Sequence, residues 1–272
     1  MLRDVDHAAP SPAEATGTLG VPGAATSTDL EALTVSPLSD LTRLPPATAR
    51  ALETMRVDFE RFDLEYRSAL LQVESRLEVL QDEFAHLHEY NPIEHIATRV
   101  KSPESLLRKA SARGVPLELE ALRAGITDIA GARVVVSFCA DVYRVFRLFT
   151  SQPDIRVLEV EDYIRHPKPS GYRSLHCLVQ VPVHFTSGTH HVTVEMQFRT
   201  IAMDFWAATQ HKINYKFDGD VPASITTELA EAARVAADLD RRMERLHEQV
   251  HDAAPAPPAD AHDESDWWLG HA

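Results

Sequence analysis

The sequence predicts an α+β domain: a mixed sheet of about five strands flanked by helices, with a long helical segment before it and an amphipathic helix after it. Three observations carry this. Apolar residues from Leu52 to Leu87 recur at spacings of three and four, as one face of a helix requires. Between residues 132 and 199 the spacing drops to two, the period of half-buried strands. From Ile225 onward the helical spacing returns in "ITTELAEAARVAADLDRRMERLHEQV".

The chain has 272 residues, and its 44% apolar content is ample for a core. No run approaches the roughly 18 to 20 apolar residues of a membrane span, and "MLRDVDHAAPSPAEATG" lacks a basic flank followed by an apolar core. A cytoplasmic protein is expected. Its two cysteines, Cys139 and Cys177, fall in strand-like apolar runs and are read as buried free thiols.

A net charge of −14 argues against a general nucleic-acid binder. DNA is excluded as a partner on that ground, and single-stranded RNA gains no support. The charge is uneven, however. Residues 1–45 hold six acids and two bases, and residues 251–272 hold five acids and no Lys or Arg, so the ends carry −9 of the −14. By contrast "RVKSPESLLRKASAR" (99–113) has five cations and one acid, and "IRHPKPSGYR" (164–173) has three cations and no acid. Local basic sites in an acidic chain point to small anionic ligands.

Three regions follow from composition. Residues 1–45 and 251–272, rich in Ala and Pro and acidic, are expected to be disordered tails around one domain spanning 46–250. The apolar stripe Leu52, Met55, Phe59, Phe62, Tyr66, Ala69, Val73, Leu77, Leu80, Phe84 and Leu87 predicts one long helix, or two in series with a break in the charged stretch 58–63. It can lie on the chain's own sheet or pair with another copy. "NPIEHIATRVK" reads as a Pro-marked turn and a basic link. A helix follows, with Ser102 as N-cap, Pro103 in its first turn and Gly114 as its stop. "ARVVVSFC", "IRVLEVEDYI", "RSLHCLVQVPV" and "HHVTVEMQFR" read as strands, the last two joined as a hairpin by "TSGT". "ADVYRVFRLFTSQ" is a helix, and "TIAMDFWAATQHKINYK" is a helix that packs Ile201, Phe205 and Trp206.

Polar residues gather where these elements meet. In "ITDIAGARVVV", Gly131 lets Asp128 sit at the mouth of the strand that Arg133 opens, although an Asp capping a turn has the same pattern. In "PKPSGYRSLHCLV", alternation puts Tyr172, Ser174 and His176 on one face, beside Lys168 and Arg173. An aromatic ring among cations suits a purine nucleotide, though solvated loop residues would look alike. In "VTVEMQFRT", Glu195, Gln197 and Arg199 share a face opposite Val194, Met196 and Phe198. A mid-strand carboxylate needs a positive partner, either a neighbouring Arg or a divalent cation shared with Asp128.

"RVKSPESLLRK", "DIAGARVVV", "EDYIRHPKPSGYRSLHCLV" and "VEMQFRTIAMDFWAATQHKINYK", in that order, resemble the synthetase domain of the RelA/SpoT family, and most of all its stand-alone small alarmone synthetases. The resemblance covers roughly residues 55–250 and implies a nucleotidyltransferase-like fold. It implies transfer of the β,γ-pyrophosphate of ATP to the 3′-hydroxyl of GDP or GTP, a Mg²⁺-dependent step that makes ppGpp or pppGpp in the stringent response. Asp128 and Glu195 would be the catalytic acids and the Mg²⁺ ligands. Arg99 and Arg133 would sandwich the adenine, with Lys101, Ser102 and Lys109 completing the ATP site. Lys168, Ser170, Tyr172, His176 and Gln197 would form the GDP/GTP site, Tyr172 stacking on guanine. A homotetramer is expected, as is no membrane partner. No His-Asp motif of the family's hydrolase domain precedes residue 90, so synthesis without hydrolysis is implied. Ala132, Asp204 and Gln210 depart from common family residues. Two alternatives stand: the same fold pyrophosphorylating the tRNA 3′ end, and a catalytically idle nucleotide or RNA sensor.

Overall fold

The computed structural model describes residues 45–215, 217 and 221–252. The expectation of disordered tails therefore lies almost wholly outside the described residues.

A single unbroken helix, α1 (Pro46–Leu87), fills the first stretch, so no break occurs at residues 58–63. Phe62, Tyr66, Ala69, Val73, Leu77 and Phe84 are buried at the expected spacing, whereas Leu87, at the frayed end of the stripe, is exposed. A charged residue also sits within this stripe. Glu65 is buried but not unpaired: Arg123 approaches its Oε2 at 2.6 Å and His190 Nδ1 its Oε1 at 3.0 Å. That pairing ties α1 to two other elements and removes the cost of a lone buried carboxylate.

Next come β1 (Ile93–Val100), α2 (Pro103–Arg113), α3 (Leu119–Gly125), β2 (Ala130–Val136), α4 (Cys139–Thr150) and β3 (Arg156–Asp162). The chain continues through β4 (Leu175–Phe185), β5 (Gly188–Thr200), α5 (Ile201–Tyr215) and α6 (Ala223–Asp252). Strand order is β1-β2-β5-β4-β3, with β2 and β5 parallel and every other pairing antiparallel. The sheet is mixed and five-stranded, as predicted.

Four readings change. β1 was expected as a turn and link; its only deeply buried residue is Ile93, so it lacks a clear apolar alternation. The short helix α3 was not anticipated. β2 begins at Ala130 and ends at Val136, so Cys139 opens α4 rather than lying in a strand, and it is half-buried while Cys177 is buried. In α5 the packed residues are Met203, Trp206 and Ala207, whereas Ile201 and Phe205 are exposed. Positions i, i+3 and i+4 from Met203 share one face, and residues 201 and 205 lie off it.

The caps of α2 match expectation. Ser102 Oγ accepts from Ser105 N at 3.3 Å, Pro103 starts the helix, and Gly114 ends it with φ 64°.

Residues Val192, Val194, Met196 and Phe198 of β5 and Leu175, Cys177, Val179 and Val181 of β4 point into one core with α1 and α4. The opposite face of the sheet carries the polar residues. Because the core lies on one side, Leu77→Ala is expected to lower unfolding free energy by about 3 kcal/mol through the cavity it leaves. Leu71→Ala, at an exposed position of the same helix, should change it by less than about 0.5 kcal/mol. Urea unfolding of the two variants checks the contrast.

Candidate active site

The polar sheet face is assembled by register. β1 and β2 pair so that Arg99 stands opposite Gly131 and Ala97 opposite Arg133. β2 and β5 place Gly131 beside Glu195 and Arg133 beside Gln197, and β4 sets His176 against Gln197. Arg99, Arg133, Glu195, Gln197 and Arg199 therefore lie on one side of three adjoining strands. A Cβ at Gly131 would make only ordinary contact with the Arg99 side chain, at 3.8 Å. These residues and Tyr172 line a cavity of about 580 Å³, closed by Gln210, His211 and Lys212 of α5.

At one end of this face, Asp128 lies in the turn before β2. Its Oδ2 receives Lys101 Nζ at 3.1 Å and Lys109 Nζ at 2.7 Å. The second oxygen, Oδ1, is buried and has no hydrogen-bond partner among the described residues. Burial opposes ionisation of this carboxyl, but hydrogen bonds from Lys109 and Lys101 and their charges outweigh it. They hold the pKa below the usual aspartate value. Lys101 is fixed by its own backbone N–H, which donates to Ile129 O at 2.7 Å. Thr127, the neighbour of Asp128, lines a smaller cavity of about 80 Å³ together with Glu195 and His176. Glu195 thus shares this smaller cavity with the residue next to Asp128.

Glu195 leads into a chain of hydrogen bonds. Gln197 Nε2 donates to Glu195 Oε2 at 2.9 Å, and Gln197 Oε1 accepts from Arg199 Nη2 at 2.5 Å. Arg199 Nη2 also donates to Tyr172 Oη at 2.8 Å, and Tyr172 Oη lies 2.7 Å from His176 Nε2. A guanidinium only donates, so Tyr172 accepts from Arg199, and in the tautomer that gives its own O–H an acceptor it donates to His176. His176 Nε2 is then an acceptor and its proton sits on Nδ1. Burial, reinforced by Arg199 and Lys168, lowers the His176 pKa to about 4, against a smaller raising effect from Glu161. The imidazole is neutral at pH 7. Its Nδ1 is 3.8 Å from Glu195 Oε1, which is within ion-pair range but too long for a hydrogen bond, and a neutral ring forms no salt bridge.

The remaining predicted residues sort as follows. Ser102 Oγ caps α2 and also donates to Ser105 Oγ at 3.1 Å, so its hydroxyl serves the helix. Ser170 Oγ accepts from Tyr172 N at 3.4 Å, holding the loop. Lys168 Nζ stands 4.1 Å from the centre of the Tyr163 ring and 5.5 Å from that of Tyr172. Ser174 does not join the polar face: it is fully buried, and its hydroxyl donates to Phe198 O at 3.1 Å, because β4 begins only at Leu175.

Two residues were missed. Asp204 Oδ1 joins Arg133 at 3.3 Å and Arg199 at 3.0 Å, linking the two ends of the larger cavity through one carboxylate. In the sequence it was only a departure from a family residue. Its spacing to Ala208 and His211 on the same helix face, i+4 and i+7, was the available signal. Tyr163 packs edge-on against His176 and Tyr172, with ring centres 5.2 and 6.2 Å away.

The Tyr172 loop is backed by α6. Gly171 has φ 88°, and a Cβ there would come within 2.5 Å of Ala233, so only glycine fits. Trp206 Nε1 donates to Leu229 O at 2.9 Å, and Tyr172 packs on the cluster of Trp206, Ala207 and Ala233.

The donor set fits a divalent cation of the Mg²⁺ type. It offers two carboxylates, one with a buried oxygen lacking a partner, and leaves other positions to water or phosphate. Among the described residues no cluster of three or more His, Cys, Asp or Glu could hold a metal alone, so substrate oxygens would complete the shell.

The family described as "Region found in RelA / SpoT proteins" matches residues 98–220. The chain is 41% identical over 199 residues to the GTP pyrophosphokinase YwaC of Bacillus subtilis, covering 73% of this chain and 95% of that one. It is 36% identical over 199 residues to the GTP pyrophosphokinase YjbM of the same organism, covering 73% and 92%. Among solved structures, small alarmone synthetase 1 from Bacillus subtilis bound to its product pppGpp superposes with a TM-score of 0.66. That match has 36% identity and covers 71% of this chain and 98% of that one.

His176 supplies a test of the hydrogen-bond chain. Its folded pKa lies below the unfolded value of about 6.5, so the unfolded chain binds the extra proton first. Stability should fall as pH drops from about 6.5 to about 4, where the folded state also titrates, and then level off. His176→Gln should flatten that slope in pH-dependent urea unfolding. An imidazole NMR titration should show His176 neutral at pH 6.

Proposed function

The chain belongs to the RelA/SpoT family, and from that premise we propose that it is a GTP pyrophosphokinase that moves the β,γ-pyrophosphate of ATP to the 3′-hydroxyl of GDP or GTP. The observation that carries this reading is the Asp128 carboxylate. One of its oxygens is shared by two lysines and the other is buried without a partner among the described residues, while the preceding residue, Thr127, lines a cavity with Glu195.

The reacting 3′-oxygen attacks the β-phosphorus of ATP, the bond from that phosphorus to the α-phosphate oxygen breaks, and AMP leaves. Lys101 and Lys109 neutralise phosphate charge as it shifts. Arg99 and Arg133 line the cavity as planar cations that take the adenine between them. Tyr172, set by Gly171 and by its bonds to Arg199 and His176, offers its ring to guanine, with Lys168 near the acceptor's phosphates. Glu195, oriented by Gln197, accepts the hydrogen bond of the 3′-hydroxyl. Asp128 and Glu195 would hold Mg²⁺, which when bound supplies charge neutralisation at the phosphates. Asp204 keeps Arg133 and Arg199 apart at fixed distance.

Finer features belong to the same proposal. The enzyme works in the cytoplasm in the stringent response, as synthesis of ppGpp and pppGpp. It assembles as a homotetramer, for which the exposed, heptad-spaced Val57, Leu64 and Leu71 on the outer face of α1 provide a helix-pairing surface. No helix of the described residues is long and apolar enough to cross a membrane.

Incubation of the purified protein with ATP labelled in its terminal phosphates, Mg²⁺ and GMP, GDP, GTP or bulk tRNA tests this directly. Label should pass to GDP and GTP and stop with EDTA. Label on tRNA alone, or on no acceptor, overturns the reading. Stacking of a base on an aromatic ring is worth about 1–3 kcal/mol, so Tyr172→Ala should raise the KM for GDP about tenfold or more and leave that for ATP nearly unchanged. Arg133→Ala should mainly raise the ATP KM in the same steady-state assay.

A further inference from the structure

β5 ends at Thr200 and α5 begins at the next residue, so the first turn of α5 rises directly from the end of the polar strand. That turn is fixed from behind. Thr200 is fully buried; its Oγ1 accepts from Met203 N at 3.1 Å and donates to Asp240 Oδ2 of α6 at 2.8 Å. The hydroxyl thus caps α5, and the buried Asp240 holds the cap in place. Asp204 stands in this same turn and meets the arginines of the cleft.

Two guanidinium groups share it. Parallel pairing sets Arg133 beside Gln197, and Arg199 lies two residues beyond Gln197 on the same face, so the two like charges are neighbours across β2 and β5. Asp204 Oδ1 receives Arg199 Nη1 at 3.0 Å and lies 3.3 Å from Arg133 Nη1. Among the described residues Asp204 is the ion-pair partner of Arg133, whose Nε is buried without a hydrogen-bond partner. The plane of the Arg133 guanidinium is therefore set by Asp204. Arg199 carries the constraint further: its Nη2 donates to Tyr172 Oη at 2.8 Å, and its Cζ stands 5.3 Å from the centre of the Tyr172 ring.

Resting on the pyrophosphokinase reading above, we infer that Asp204 is a positioning residue shared by both nucleotide sites: through one oxygen it sets the Arg133 plane for adenine and, by way of Arg199, the Tyr172 ring for guanine. It acts through the two arginines and not on the nucleotides. A change on either branch disturbs one nucleotide, whereas a change at Asp204 disturbs both.

Charge and position predict opposite signs for its removal. A carboxylate in a cleft that takes polyanions repels them, so by charge alone its loss tightens both nucleotides. A positioning role predicts weaker binding in spite of that relief. Without Asp204 the neighbouring guanidinium groups repel each other, and each must be ordered again when a ligand arrives.

Equilibrium binding in the presence of Mg²⁺ tests this apart from turnover. The analogue α,β-methylene ATP, whose methylene bridge blocks transfer, is titrated into the protein, and GDP is titrated into protein saturated with that analogue. Asp204→Ala should raise both dissociation constants at least about fivefold, the loss of a hydrogen bond to a charged group less the relieved repulsion. Asp204→Asn, which keeps an oxygen for the arginines but not the charge, should regain most of both losses. Urea midpoints of the two variants, expected near that of wild type, separate positioning from loss of fold. If Asp204→Ala binds either nucleotide as tightly as wild type, or Asp204→Asn binds as weakly as Asp204→Ala, the inference is overturned and the functional reading stands. Wild-type protein that binds neither nucleotide removes the functional reading, and the inference with it.

Discussion

The alternation along β5 is the constraint on which the site depends. Val194, Met196 and Phe198 are driven into the core by loss of apolar surface to water, and a strand cannot send them there without sending Glu195, Gln197 and Arg199 the other way. A slip of one residue would bury a carboxylate and a guanidinium and expose three large apolar groups, so the register is strongly specified. Parallel pairing with β2 then fixes Arg133 and Gly131 at the same level, and antiparallel pairing with β4 adds His176. The polar cleft is therefore held in place by the hydrophobic core behind it.

On that scaffold, Asp128, Arg133 and Arg199 each meet a compensating charge. Asp128 is held by two lysines, one from the link just before α2 and one from within that helix. Arg199 is 7% exposed and divides its donors among Gln197, Tyr172 and Asp204, which makes it the hinge between Glu195 and the Tyr172 loop. Its Nε and that of Arg133 are nonetheless buried without a hydrogen-bond partner among the described residues. Two guanidinium groups kept partly unsatisfied at a cleft retain capacity for a ligand that a fully paired network would lack.

Much of this was legible in the sequence because it rests on period and on local chemistry. The buried stripe of α1, the β4–β5 hairpin, the caps of α2 and the shared face of Glu195, Gln197 and Arg199 all follow from spacing. What escaped depended on contacts between distant segments. β1 is a strand because it pairs with β2, not because its own residues alternate clearly. Ser174 left the polar face because the strand starts at Leu175, two residues later than expected, with the hydroxyl turned to Phe198 O. Asp204 gains its role from Arg133, seventy-one positions earlier, which no local pattern encodes.

The central claim is that Asp128 and Glu195 act on one reaction as one unit, and a double-mutant cycle on turnover tests it most directly. Residues that serve one step together are strongly non-additive. Asp128→Asn combined with Glu195→Gln should be about as slow as the worse single variant, each single change costing at least about a hundredfold in kcat. Losses that multiply in full, or a single variant of normal rate, would contradict the account.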